Sequence, residues 1–210
     1  MDVAIVDYGL GNLRSLTRGL ERAGAEVAVT ETASGIAAAD AVVLPGVGAF
    51  REGMRGSRDL HAALREAAEE KPLLGVCLGM QMLFTESEEG ATGDATEGLD
   101  LVPGRVVRFP ERVGKVPHMG WNTLDVVGDH PIVDGIGDEP FVYFVHSYYA
   151  EPGETTVART AYGEEGHEVR FGSVVANEPG NVVGTQFHPE KSGDVGLAML
   201  ENFVSFAEAY

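Results

Sequence analysis

The sequence predicts an α/β fold, a mostly parallel sheet flanked by helices, with additional antiparallel strands in the C-terminal half. Three observations predict it. Short apolar runs alternate with amphipathic stretches through the first half, which favours a parallel sheet with helices on both faces. The second half is rich in strand signals. Segments carrying reactive or glycine-rich chemistry fall at predicted strand C-termini, where open parallel sheets bind ligands. At 210 residues, a single domain spanning 1–210 is the default, with enough chain for a substantial core.

The elements follow in order. Val3 to Asp7 reads as a strand, and Asn12 to Ala23 has helical spacing with Leu13, Leu16 and Leu20 on one side. Glu26 to Val29 and Ala41 to Leu44 read as short strands. Asp59 to Glu70 is an amphipathic helix facing Leu60, Ala63, Leu64 and Ala67 inward. Pro72 to Val76 reads as a buried strand, and Leu78 to Phe84 as the start of an apolar-faced helix. Glu86 to Asp100 holds six acids, no base and three glycines, which predicts a mobile surface loop without catalytic residues. Val102 to Phe109, Lys115 to Asn122, Phe141 to Tyr149 and Thr155 to Ala161 read as strands. Arg170 to Ala176 and Asn181 to Phe187 read as a hairpin across Glu178-Pro179-Gly180. Gly193 to Ala207 closes the chain as a helix with Leu197, Leu200, Phe203 and Val204 inward.

Composition narrows the function classes. There are 33 acidic and 15 basic residues, a net charge of -18, and only three lysines. Such a field repels phosphate backbones and anionic membranes, so neither nucleic acid nor a membrane is expected as a partner. No apolar run is long enough to span a bilayer, and Met1 leads directly into a strand signal rather than a signal peptide. One cysteine excludes an internal disulfide and suits a reducing cytosol, so a cytoplasmic location is expected. The acidic surface suits high salt, where repulsion is screened over about 3 Å at 1 M. The isolated protein is expected to lose structure or activity in low-salt buffer. Thermal melts and assays across ionic strength check this, and full stability at low salt removes the reading.

The chemistry begins at Cys77, in Gly75-Val76-Cys77-Leu78-Gly79. A residue between a strand and a helix lies on a sharp turn, and the flanking glycines remove side chains that would crowd it. This resembles the nucleophile elbow of hydrolases with sulfur in place of oxygen. A helix N-terminus also favours a thiolate. Asn181 to Phe187 then runs into His188-Pro189-Glu190. Extended residues at i and i+2 point to one side, so His188 and Glu190 are expected to project together. A carboxylate beside an imidazole fixes its tautomer and supports its charged form. Val42 to Phe50 carries a Pro-Gly-x-Gly loop whose backbone N–H groups could form half of an oxyanion hole, with Leu78 N–H as the other half. No complete dinucleotide fingerprint, Walker sequence or zinc-ligand spacing is present, so no cofactor and no metal are expected. His61, His130 and His167 read as surface residues. Tyr143 reads as core, and His146 equally as core or site lining.

These segments together resemble the class I (triad) glutamine amidotransferases, and specifically the glutaminase subunits of imidazole glycerol phosphate synthase. The elbow through Gln81 and Phe187-His188-Pro189-Glu190-Lys191-Ser192 mark the class. Asp7-Tyr8-Gly9-Leu10-Gly11-Asn12, Pro45 to Phe50, Lys115 to Asn122 and Tyr143 to Tyr148 mark the subfamily. The resemblance implies a flavodoxin-like sheet, glutamine as substrate, and catalysis by Cys77, His188 and Glu190. It implies an oxyanion hole from Gly46, Val47, Gly48 and Leu78, and glutamine held by Gln81, His146, Ser147 and Tyr148. It also implies a heterodimer with a (β/α)8-barrel cyclase/synthase subunit that uses the ammonia in histidine biosynthesis, with Asn12, His118, Trp121 and Lys191 at the interface. The alternatives are a glutaminase subunit of another ammonia-channelling synthase, a cysteine hydrolase on a similar sheet, and a binding subunit with a dead site.

Overall fold

In the computed structural model, which describes residues 1–90 and 95–210, the N-terminal half is wound as alternating strands and helices. These are β1 (Asp2–Val6), α1 (Leu13–Arg22), β2 (Glu26–Thr30), α2 (Ala33–Ala38), β3 (Ala41–Leu44), α3 (Phe50–Gly56), α4 (His61–Glu70), β4 (Leu73–Val76) and α5 (Leu78–Leu83). Strands β5 (Phe84–Ser87), β6 (Thr96–Glu97), β7 (Val102–Arg108), β8 (His118–Thr123), β9 (Asp125–Val126), β10 (Phe141–His146), β11 (Tyr148–Ala150), β12 (Thr156–Tyr162), β13 (Val169–Ala176) and β14 (Val182–Thr185) follow. Helix α6 (Gly193–Ala209) ends the chain.

One long sheet runs in the order β2-β1-β3-β4-β14-β13-β11-β7-β5-β6, with β12 and β9 attached beside β13. Strands β2, β1, β3, β4 and β14 are mutually parallel, and β13 turns back antiparallel to β14 as the predicted hairpin. β1, β3, β4 and β14 carry apolar residues on both faces because helices cover both. On one side Leu16, Leu20, Leu200 and Phe203 join α1 and α6 to the sheet. On the other, Ile36, Leu64, Met82 and Leu83 seat α2, α4 and α5. The pairing that matters most is β4 with β14, since it sets Val76 directly opposite Thr185. Cys77 and His188 leave the sheet from the same ends of these two neighbours.

The fold departs from the sequence reading in several places. Helices α2 and α3 lie in segments without a clear periodic signal, and each is only six or seven residues long. Residues 86–100 are not simply a surface loop. Ser87 pairs with Thr96, and Leu99 is completely buried, because the segment seals the edge of the sheet. Residues 91–94 lie outside the described part. The apolar run Phe141 to Tyr149 is two strands in different sheets. β10 pairs with β8 in a separate hairpin, whereas β11 pairs with β7 and β13. His130 is not on the surface. It is 5 % exposed, accepts the Ile132 N–H on Nδ1 and donates from Nε2 to the Gly180 carbonyl at 2.8 Å.

Candidate active site

Cys77 sits between β4 and α5 with φ 56° and ψ -109°, a left-handed backbone that an L-residue adopts only at a cost of about 1–3 kcal/mol. The surroundings enforce it. The Cys77 N–H donates to the Thr185 carbonyl at 2.7 Å, and its own carbonyl accepts from Gln81 N–H. The predicted role of the flanking glycines is literal. A Cβ on Gly79 would lie 1.9 Å from the Leu44 carbonyl oxygen, and one on Gly75 would lie 2.8 Å from the Met80 backbone. The helix therefore packs against the ends of β3 and β4 closely enough to fix the sulfur. Leu78 opens α5, and its N–H lies in the first turn, where no intrahelical acceptor exists.

His188 and Glu190 meet differently from the expectation. His188 is extended, as a residue before proline should be, but Pro189–Lys191 is a 3-10 turn rather than continued strand. The turn still brings His188 Nδ1 and Glu190 Oε1 to 2.9 Å, with both side chains almost fully buried. The ring's backbone is held on both sides. His188 N–H donates to the Tyr143 carbonyl at 3.0 Å, and Ser192 Oγ donates to the His188 carbonyl at 2.7 Å. Burial alone would lower the His188 pKa. Interaction with the Cys77 sulfur and with the Glu190 carboxylate overrides it and raises the pKa to about 9. Burial likewise pushes Glu190 up, but His188, and to a lesser degree Asn12, hold its carboxyl below the ordinary value. His188 Nε2, on the side of the ring away from Glu190, makes no hydrogen bond among the described residues.

A cavity of about 290 Å³ opens over the sulfur, at the small end for a small-molecule site. Val47, Gly48, Cys77, Leu78, Gln81, His146, Ser147, Tyr148 and His188 all line it. Gly46 lies just behind, where a Cβ would meet Leu78, the Gly79 N–H and the Tyr8 hydroxyl within 2.8 Å. Gly48 has φ +102°, which suits glycine. The Tyr8 hydroxyl fixes the start of this loop by donating to the Pro45 carbonyl at 2.6 Å. Gln81 uses Nε2 on the Tyr148 carbonyl and on Gln186 Oε1, at 2.9 and 3.0 Å.

The four residues expected at a partner interface part company. Trp121 is 55 % exposed, beside Met119 and Phe141 on the outer face of the β8–β10 hairpin. Lys191 lies with Nζ 6.0 Å from the Tyr143 ring centroid, and Trp121 meets the same ring edge-on. Tyr143, read as core, is half-exposed here. His118 is buried against Tyr162 and Phe144. Asn12 turns inward and donates from Nδ2 to Glu190 Oε1 at 3.1 Å instead of capping α1.

Sequence reasoning missed two further residues. Gln186 is fully buried, with Nε2 3.9 Å from the Cys77 sulfur. Glu89, in the segment read as a loop without site residues, lines the cavity and accepts the Phe50 N–H on Oε2 at 2.8 Å. Burial raises its carboxyl pKa, and the Phe50 bond works against that. Neither has a local signal: Gln186 reads as one more strand residue, and Glu89 is hidden among acids. Among the described residues, no group of three or more His, Cys, Asp or Glu side chains could hold a metal ion. Among them too, no helix is long and apolar enough to cross a membrane.

Known proteins are similar to this chain. The pattern of the family Glutamine amidotransferase class-I matches residues 4–206. The imidazole glycerol phosphate synthase subunit HisH of Natronomonas pharaonis is 59 % identical, over 98 % of this chain and 94 % of that protein. The proteins of the same name from Haloarcula marismortui and Archaeoglobus fulgidus are 55 % and 50 % identical, covering 98 % of this chain and 95 % and 99 % of theirs. Among solved structures, a chain of PurLQS from Thermotoga maritima superposes with a TM-score of 0.72. It has 19 % identity and covers 98 % of this chain and 98 % of that one, a likeness of fold. With a cysteine elbow, a buried imidazole–carboxylate pair and this degree of likeness over nearly its whole length, the chain belongs to the class-I glutamine amidotransferases, in the group of imidazole glycerol phosphate synthase HisH subunits.

Proposed function

We propose that this chain hydrolyses glutamine through a Cys77 thioester and passes the ammonia to a (β/α)8-barrel synthase subunit. There it contributes to imidazole glycerol phosphate and an aminoimidazole carboxamide ribotide in histidine biosynthesis. The observation that carries the reading is the buried 2.9 Å pair of His188 and Glu190 at the end of β14, beside a strained cysteine at the end of β4. The sulfur attacks the side-chain amide carbon, and the developing oxyanion takes hydrogen bonds from Leu78 N–H and the Gly46–Gly48 loop. One such donor is worth about 3–4 kcal/mol in well-studied enzymes. His188 gives its Nε2 proton to the amide nitrogen, and ammonia leaves as the C–N bond breaks. The neutral ring then takes a proton from water, the hydroxide adds to the thioester, and the sulfur departs as glutamate forms. Glu190 orients the ring and offsets its charge, and Asn12 orients Glu190. Gln81, His146, Ser147 and Tyr148 shape the wall that receives glutamine. Glu89 supplies a carboxylate suited to the substrate's α-ammonium group.

The exposed Met119, Trp121 and Phe141 form an apolar face suited to the barrel partner, with Lys191 and Tyr143 at its margin. Glutamate release is expected to be slow for the lone chain. In high salt, adding the barrel partner with its nucleotide ligand is expected to raise release about 100-fold or more, the scale of one oxyanion donor brought into place. Equal turnover with and without the partner overturns the coupling.

A further inference from the structure

On the inner face of the β8–β10 hairpin two buried imidazoles meet, and their protons have only one consistent arrangement. His118 and His146 are register partners at the end of that hairpin and are 3 % and 6 % exposed. His146 Nδ1 lies 2.8 Å from the Tyr148 carbonyl, which only accepts, so Nδ1 carries the proton. Nε2 of a neutral His146 is then an acceptor, and His118 Nδ1 donates to it at 3.2 Å. His118 Nε2 is left as an acceptor for Asn122 Nδ2 at 3.4 Å. The Tyr148 carbonyl also takes the Gln81 amide, which continues through Gln186 to within 3.9 Å of the Cys77 sulfur. A directed chain of donors therefore runs from Asn122 to a wall of the cavity. Burial lowers the pKa of His118 to about 4 and of His146 to about 3, in keeping with two neutral rings. His118 is also fixed in plane, stacked on Tyr162 at 4.0 Å and Phe144 at 4.8 Å.

Strand alternation gives the chain its second end. Residues 118, 120 and 122 of β8 face inward, while Met119 and Trp121 are 57 % and 55 % exposed. The apolar face and the imidazole pair are the two sides of one pair of strands, β8 and β10. We infer that His118 and His146 are positioning residues that transmit the seating of the β8–β10 hairpin to the Tyr148 carbonyl and Gln81. This rests on the glutaminase reading above. Packing does not account for the pair, since two aromatic hydrocarbons would fill the same space without burying four ring nitrogens.

The test compares His118→Phe, which keeps the stacked ring and loses the donor, with His118→Asn. The asparagine amide places a donor near the former Nδ1 but gives up the ring. Glutamate release is measured for the lone chain and for the complex with barrel partner and nucleotide, in high salt. Affinity for the barrel is measured by calorimetry and folding by thermal melts. Partner stimulation is expected to fall about tenfold in His118→Phe and to recover to within about threefold of the parent in His118→Asn. A packing role predicts the reverse order, so equal or better stimulation in the phenylalanine variant overturns the inference. Loss of stimulation matched by lost barrel affinity assigns His118 to docking and also overturns it. Asn122→Ala, remote from the cavity, guards against a variant that fails to fold. It is expected to lower stimulation about threefold at unchanged affinity, and unaltered stimulation there counts against the relay. Absence of stimulation in the parent protein is a different failure, because it removes the partner-coupled glutaminase itself.

Discussion

Cys77→Ala is expected to abolish glutamate release, in the lone chain and in the complex alike, by at least about 10⁴-fold. The sulfur is the only cysteine in the chain, so no neighbour can take its place. Its loss leaves the oxyanion donors and cavity intact but removes the atom that carries the acyl group. The fold should survive, because the short hydrogen bonds of Cys77 run through its backbone, to Thr185 and Gln81, while its sulfur makes only long contacts of 4.0 and 3.9 Å with the Val145 carbonyl and Gln186 Nε2. A melt close to that of the parent, together with loss of labelling by an electrophilic glutamine analogue, is the expected pair of results. Residual turnover within about tenfold of the parent would exclude a thioester at this position.

Glu190→Gln is expected to lower turnover by about 10³–10⁴-fold while leaving the shape of the site unchanged, as carboxylate-to-amide changes do in comparable triads. Its pH profile is as informative as its rate. His188 is raised to about 9, so in the parent the proton that ammonia takes with it is held through neutral pH and lost as pH climbs through about 9. The high-pH limb of kcat/KM should fall there. Without the Glu190 charge, one of the two interactions that offset burial at His188 is lost, and the limb should move to lower pH. The stability contribution has the same sign. A folded-state pKa above the ordinary 6.5 means a contribution fully present below pH 6.5 and gone above about 9. Chemical denaturation at pH 6 and pH 9.5 should show a smaller difference for the variant than for the parent. An unshifted limb would mean that Glu190 does not support the imidazolium.

The parts of the site that could be read from sequence are those whose chemistry is local. The elbow at Cys77 is legible because glycine spacing, a buried strand and a helix start coincide within ten residues. His188 and Glu190 are legible because a proline restricts the backbone between them, even though the turn is tighter than an extended reading supposes. The parallel core is legible from its continuous apolar runs. What escapes is decided by tertiary contact. Asn12 reads as the start of a helix, and its bond to Glu190 joins residues 178 positions apart. Gln186 and Glu89 come to lie beside the sulfur and the cavity only through what folds next to them. The run Phe141 to Tyr149 has uniform strand propensity, and nothing local marks Ser147 as the place where the chain changes sheets.

The adjacency of β4 and β14 has a consequence for how the protein is made. A ribosome delivers the sulfur early and the imidazole more than a hundred residues afterwards, and the last parallel strand must thread between two others before the pair can meet. A nascent chain stopped before His188 is therefore expected to hold the sulfur without the imidazole–carboxylate pair, and to show no glutamate release.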